Sequence, residues 1–169
     1  MTIKFIFAFK FNKQNYYINN MRLTTKSRYG TRMVIDIAIN GTAKPVSITE
    51  ISKRQNISLK YLEKLTRKLK KAGIIVSQRG PFGGHMLAKP PEDITIGDLV
   101  RTLEDTTAIT DCAENDSKLC GECTRAGECI SQWVWIEASK AMFSLLDRIT
   151  IDSLLKKFDN GRIFSIDKE

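Results

Sequence analysis

Residues 47–87 read SITEISKRQNISLKYLEKLTRKLKKAGIIVSQRGPFGGHML, and this stretch decides the fold. Ser47-Ile48-Thr49-Glu50 has the spacing of a capping box, in which an N-cap serine and a glutamate three residues on satisfy each other's free amides. A short helix over residues 48 to about 55 follows. Asn56-Ile57-Ser58 makes a turn, with Ser58 placed to cap a second helix that runs to about Lys71. Leu62, Leu65 and Leu69 form a narrow apolar seam on that helix, while Lys60, Lys64, Arg67, Lys68 and Lys71 fall on another face. Gly73 stands just past the helix end. Ile74-Ile75-Val76 then reads as a strand, Gly80-Pro81-Phe82-Gly83-Gly84 as a turn and Met86-Leu87 as the return strand. Helix, turn, helix and a hairpin with Arg79 near its tip is the order of a winged helix-turn-helix. The second helix enters the major groove, and the wing lies along the backbone or reaches the minor groove. A lysine run alone is more often a solvated face. The hairpin behind it tips the reading to DNA.

Outside this stretch, charge is the informative quantity. The chain has 169 residues and a net charge of +8, enough length for one domain, or one with an appendage, around a proper core. Between Met21 and Gly80, basic residues outnumber acidic ones by about fourteen to three; between Pro90 and Ile130 the balance reverses to about three against ten. A basic front and an acidic back suit a molecule that faces a polyanion with one end only. No apolar run approaches the ~20 residues of a membrane span. Residues 1–20 hold an apolar cluster, Phe5-Ile6-Phe7-Ala8-Phe9, too short for a signal-peptide core and without a small-residue cleavage site after it. They are expected to be a disordered extension or the product of a misassigned start, with Met21 as the beginning. A cytoplasmic location is expected, which argues against a disulfide framework.

From Met21, Thr24 or Thr25 is placed to cap a first helix that buries Tyr29, Met33, Val34, Ile37 and Ala38 and ends near Asn40-Gly41. Lys26, Arg28 and Arg32 near its start oppose the helix dipole, a placement that makes sense beside phosphates. Glu63, a carboxylate in the basic helix, can accept from the amino group of cytosine; its ordinary role would be a salt bridge to Arg67 one turn on. Beyond the wing, Pro90-Pro91 closes the hairpin. Residues 95–104 read as a helix with Ile96, Leu99, Val100 and Leu103 inward.

The stretches from Met21 to Gly30 (MRLTTKSRYG), from Ile57 to Leu65 (ISLKYLEKL) and from Arg79 to Gly84 (RGPFGG) resemble the IscR/NsrR-type family of winged-helix iron–sulfur transcriptional regulators, and the likeness covers almost everything after residue 20. The resemblance implies a homodimer on a double-stranded operator. It implies DNA contacts from Ser58, Lys60, Tyr61, Glu63 and Arg79; the cations Arg22, Lys26, Arg28, Lys64 and Arg67 and the wing glycine Gly80 complete the expected DNA-binding set. Phe82 departs from the small residue more common in the family's wing turn. The lone histidine, His85, stands where an aromatic is common and is expected to be structural.

All four cysteines, Cys112, Cys120, Cys123 and Cys129, fall in a short acidic loop that cannot pack a core of its own. A metal site is the natural cross-link in a reducing compartment, and thiolates hold zinc and iron–sulfur clusters alike. Zinc ribbons usually bring two close pairs, whereas this loop has only Cys120-x-x-Cys123. The resemblance favours a cluster, of two or four irons, over zinc. Cys112, Cys123 and Cys129 match the family's three cysteines, while Cys120 is extra and the loop is longer. Where one branch has a histidine ligand this chain has Gln132, and where the nitric-oxide-sensing branch has an acidic residue it has Arg28. Cys120 is therefore expected as the fourth ligand.

Residues 130 to about 147 read as a helix with Val134, Ala138, Ala141, Met142, Leu145 and Ile149 near a heptad seam, widened by Trp133, Trp135 and Phe143. It is expected to pack against its twin. A short helix restarts at Thr150 with Leu154, Leu155 and Phe158 inward. The expected organisation is mainly α: a winged head over 21–104, a cluster loop over 105–129, a dimerisation region over 130–158 and a tail over 159–169. No nucleophile–base pair, phosphate loop or catalytic metal motif stands out. The expectation is a regulator whose operator binding depends on a cluster. A winged-helix regulator with structural zinc or free thiols is the nearest alternative, and an iron–sulfur assembly accessory protein one from another class.

Overall fold

A computed structural model describes residues 23–113, 125 and 128–159. The expected extension over residues 1–20 and the tail beyond Asp159 lie outside them. The helices are α1 (Thr25–Asn40), α2 (Ile48–Gln55), α3 (Leu59–Lys71), α4 (Ile96–Leu103), α5 (Ile130–Leu146) and α6 (Ile151–Asp159); the strands are β1 (Ile75–Gln78) and β2 (Gly84–Leu87). The protein is mainly α with a winged helix-turn-helix head, as the sequence implied.

Capping chemistry sets most of the boundaries. Thr24 starts α1, its Oγ1 accepting from the Lys26 amide at 3.0 Å. The Ser47 box forms in both directions, with Ser47 Oγ accepting from Glu50 N and Glu50 Oε2 from Ser47 N, each at 3.2 Å. Asn56 turns the chain between α2 and α3 in the left-handed region, φ 52°, which asparagine tolerates better than most residues. Ser58 sits at the N-cap of α3, but its side chain makes no cap hydrogen bond. Its backbone carbonyl takes the Tyr61 and Leu62 amides instead, so the capping role expected of its hydroxyl is not observed.

At the far end of α3, Gly73 has φ +66°. Gly73 N donates to Lys70 O and Ile74 N to Leu69 O, both at 3.0 Å, the paired bonds of a Schellman stop, and Ile74 and Leu69 are both buried. This stop consumes Ile74. Hence β1 begins at Ile75, one residue later than the sequence suggested, and extends to Gln78. The hairpin pairs Ile75 with Leu87 and Gln78 with Gly84. Val46, just before α2, adds a bridge to His85 through reciprocal bonds of 2.9 and 2.8 Å. The wing is thus anchored to the helical body through β2, which lies between Val46 and β1.

The core lies where α1, α3 and α4 meet. Met33, Val34, Ile37, Ile51, Leu62, Leu65, Leu69, Ile75, Leu99 and Leu103 are buried together. A second capping box, Thr95 with Asp98, starts α4. Ile151 at the head of α6 is also fully buried in this core. Its amide donates to Ile94 O, and Ile96 N donates to Ile149 O, so the chain returns from α5 to pack α6 against the head. None of the described helices is long and apolar enough to cross a membrane.

Candidate nucleic-acid interface and cysteine loop

α3 buries Leu62, Leu65, Thr66 and Leu69. The leucine seam read from the sequence therefore faces inward, and Lys60, Glu63, Lys64, Arg67 and Lys71 are left exposed. Arg67 Nε donates to the Glu63 backbone carbonyl at 3.4 Å. Among the described residues the Glu63 carboxylate forms no salt bridge, so the Glu63–Arg67 pair expected as its ordinary role is absent. Ser58, Arg79 and Gly80 are exposed as well. Arg28 is exposed on α1; Arg32 is tied to α2 through Gln55, its Nε donating to Gln55 Oε1 at 3.0 Å. Arg22 lies outside the described residues.

Tyr61 is less free than the exposed cations. Its hydroxyl lies 2.9 Å from Thr25 Oγ1, and its ring meets Tyr29 edge-on at 5.8 Å. Lys68 and Lys26 also have partners. Lys68 Nζ donates to Leu103 O at 2.9 Å and to Asp105 Oδ1 at 3.1 Å, and Lys26 pairs with the other Asp105 oxygen. The hydrogen bond from Lys26, then that from Lys68, holds the Asp105 carboxyl below its ordinary value, and the same bond raises the Lys26 ammonium above its own. Next to it, Glu104 Oε1 accepts from Thr24 N at 2.9 Å and Ser27 N at 3.3 Å, and the Thr24 and Ser27 hydroxyls donate to the same carboxylate. A Glu-Asp pair at the end of α4 thus grips the start of α1 and the side of α3. The sequence reading missed it; the available signal was two acids directly behind a helix end, facing an α1 start with no acid of its own.

Two further polar residues were missed. Asp36 is 3% exposed inside α1. It accepts from Arg54 Nη2 at 2.6 Å, from Arg54 Nε at 3.2 and 3.1 Å and from Gln55 Nε2 at 2.8 Å. This joint fixes α2, and with it the turn into α3, against α1. On the wing, His85 Nδ1 lies 3.0 Å from Ser77 Oγ; burial, helped by nearby Lys70, pushes its imidazole below the ordinary value.

The cysteine loop is described at its two ends. Cys112 sits in a 3-10 turn, Asp111–Ala113, and Cys129 is the N-cap of α5. Gln132 joins them, its Nε2 donating to Cys112 O at 2.5 Å. Cys112 Sγ lies 3.3 Å from Thr110 Oγ1 and Cys129 Sγ 3.0 Å from Ser131 Oγ. The Ser131 hydroxyl, then the backbone amides of Gln132 and Ser131, pull the Cys129 thiol below its ordinary value. These groups favour the thiolate, the form that binds metal. Cys120 and Cys123 lie outside the described residues, and no group of three or more metal-ligating side chains occurs among those described. The two described cysteines fit a thiolate-ligated group: the fold gathers them at one helix end, and the hydrogen bonds at Cys129 favour its thiolate form.

α5 has no buried residue at all. Ile130 is 90% exposed, Trp133 66% and Leu145 60%. Its C-terminal end is moored to α4, where the Arg101 guanidinium lies 4.7 Å over the Phe143 ring and donates to Asp147 Oδ1 at 2.7 Å.

Residues 23–157 match the family model Rrf2, described as an iron-dependent transcriptional regulator. The chain is 48% identical over 136 residues to the protein rrf2 of Nitratidesulfovibrio vulgaris, covering 80% of this chain and 88% of that one. It is 36% identical over 135 residues to the HTH-type transcriptional regulator IscR of Escherichia coli, covering 80% of each. Among solved structures, T. potens IscR superposes with a TM-score of 0.68 at 32% identity, covering 86% of this chain and 93% of that one.

Proposed function

Because this chain belongs to the Rrf2 family of transcriptional regulators, we propose that it acts as a homodimer whose hold on a double-stranded DNA operator is set by an iron–sulfur cluster in the loop between Cys112 and Cys129. It is a regulator and not an enzyme. One observation carries the sensing part of this reading. Lys68 of α3 and Lys26 of α1 converge on Asp105, the residue from which the chain leaves for the cysteine loop. Whatever reorders that loop pulls on cations of both elements that face DNA.

Lys60, Lys64, Arg67, Arg28 and Arg79, with Arg22, supply phosphate and base-edge contacts, and Lys26 joins them when Asp105 lets it go. Ser58 and Tyr61 place the first turn of α3, Gly80 lets the wing backbone approach, and Glu63 selects among base edges. Cys112, Cys123 and Cys129 hold the cluster, with Cys120 as fourth ligand. When bound, the cluster supplies a redox- and ligand-sensitive cross-link across a loop that lacks a core. Gln132 holds the Cys112 end against α5 through its bond to Cys112 O. The bare face of α5 meets its twin, and the two-fold axis presents two copies of α3 to a palindromic site.

Purification without oxygen, with iron, sulfide and zinc measured beside the visible absorption, tests the cofactor. Brown protein with near-stoichiometric iron and sulfide supports the reading; colourless zinc protein after reconstitution removes the sensing step and leaves the DNA reading. Operator affinity of the intact protein is then expected to differ from that of Cys123→Ser. Equal affinities would sink the proposed control.

A further inference from the structure

The wing ends in an apolar side chain that no other described residue covers. Phe82 is 89% exposed. It lies at the third position of the turn closed by Gly83 N donating to Gly80 O at 2.9 Å. Pro81 before it has φ preset for a turn of this kind, and Phe82 does not have positive φ, which leaves type I geometry and excludes type II. The tip is ordered from both sides. Behind the turn, Gln78 pairs with Gly84, and His85 is bridged to Val46. A Cβ on Gly84 would fall 2.5 Å from Val46 O, so this glycine is what lets the hairpin lie so close to the body. Phe82 is therefore held out on a narrow, hydrogen-bonded turn.

An exposed phenylalanine is ordinarily a protein contact, but such contacts come as contiguous apolar patches. Here the flanking residues are Arg79, Gly80, Pro81, Gly83 and Gly84. No carboxylate occurs between Glu63 and Glu92, so the whole wing and its approaches are neutral or cationic. A slim, uncharged tip beside an arginine matches the minor groove, about 6 Å wide and negative in potential. Apolar side chains enter that groove as wedges between base steps, unstacking them and bending the duplex.

Resting on the DNA-binding reading above, we propose that Phe82 is a specificity-determining residue that wedges into a base step of the minor groove flanking each half-site. It selects for flexible pyrimidine–purine steps there without a hydrogen bond to any base. Arg79 supplies the charge contact that holds the tip at the groove, and Phe82 converts the deformability of the step into sequence preference.

The test uses the full-length protein and a duplex enriched by it from a random-sequence pool, with 2-aminopurine placed in turn at each step flanking the half-sites. One step per half-site should brighten on binding, as the base unstacks. Phe82→Ala should abolish that signal, weaken binding roughly ten-fold, as for loss of one base-pair contact, and relax the preference at that step when the selection is repeated. Phe82→Leu, a smaller wedge, should restore part of each. A bound duplex with no bright step, or brightening that survives Phe82→Ala, would overturn the wedge alone. A change in sedimentation of Phe82→Ala with unaltered DNA binding would overturn it in favour of a protein contact. Failure to enrich any duplex would overturn the DNA reading with it.

Discussion

Asp36 occupies a place where a carboxylate should be uncomfortable. Burial by itself would push its carboxyl up, but the bonds from Arg54, then Gln55, outweigh it and hold the group below its ordinary value. Removing the guanidinium leaves a buried charge unpaired. Arg54→Ala is expected to cost about 2 kcal/mol, less than the ~3–5 of a fully buried pair because the Arg54 side chain is 38% exposed to water. The sign of the pH dependence follows. The folded value lies below the unfolded one, so the pair's contribution is complete above the unfolded pKa of about 4 and is lost as pH falls through the folded value. In urea titrations, the stability gap between wild type and Asp36→Asn should narrow from pH 7 to pH 3; a constant gap would contradict this account. Glu104 makes a second case. As the acceptor for two amides and two hydroxyls at the start of α1, it is expected to cost about 1–2 kcal/mol when changed to Gln, read as a lowered urea midpoint. Neither residue was legible in the sequence. Asp36 interrupts an apolar helix, which hints at burial, but its partner is eighteen residues on and only the fold brings the two together.

At the scale of elements, legibility tracked how local the determining physics is. The Ser47 box, the Leu62–Leu65–Leu69 seam and the Gly73 stop act within one or two turns, and α2 and α3 have the bounds their residues imply. β1 slipped by one residue because Ile74 serves the Schellman stop before it can serve a strand. The Ser58 hydroxyl makes no cap because the Tyr61 amide, the N3 donor it would take, is bonded to the Ser58 backbone carbonyl. α6 reads as a helix from its own residues, yet its return to the head through Ile94 and Ile149 depends on partners more than fifty residues apart. α5 shows the opposite limit. The apolar residues of α5 are legible in the sequence, but a sequence cannot say what lies across from them. With Trp133 and Leu145 bare, the proposed twin has a surface to bury. Leu145→Glu places a charge on that face without touching a buried residue of the head. It is expected to convert a dimer to a monomer in sedimentation velocity while leaving the helical circular dichroism of the head in place. A Leu145→Glu protein that sediments as wild type would move the interface elsewhere.

For the whole molecule, the division of charge along the chain becomes a physical arrangement. The basic front of α1 and α3 meets the acidic stretch that begins at Pro90 through the Glu104–Asp105 pair at the end of α4, and Asp105 makes the ion pairs. Its side chain is 74% exposed, so its ion pairs to Lys26 and Lys68 contribute little to folding. Their effect lies instead in where the lysines are held. Lys68 keeps a second partner in Leu103 O, whereas Lys26 is held by Asp105. Asp105→Asn should therefore free one cation per protomer for phosphate, two in a dimer. Each phosphate contact adds about 0.9 to the slope of log affinity against log salt, so the variant's slope should be steeper by about 2 and its low-salt affinity higher. Its urea midpoint should stay close to wild type. Fluorescence anisotropy of an operator duplex across a potassium chloride series reads both quantities. The comparison should be made on protein stripped of metal and on protein reconstituted without oxygen. If Asp105 passes the state of the cysteine loop to the DNA face, the variant should bind alike in the two states where wild type does not. An unchanged slope would show that Lys26 never reaches the backbone, and a retained difference between the two states would place the transmission in α5 and the spacing of the heads.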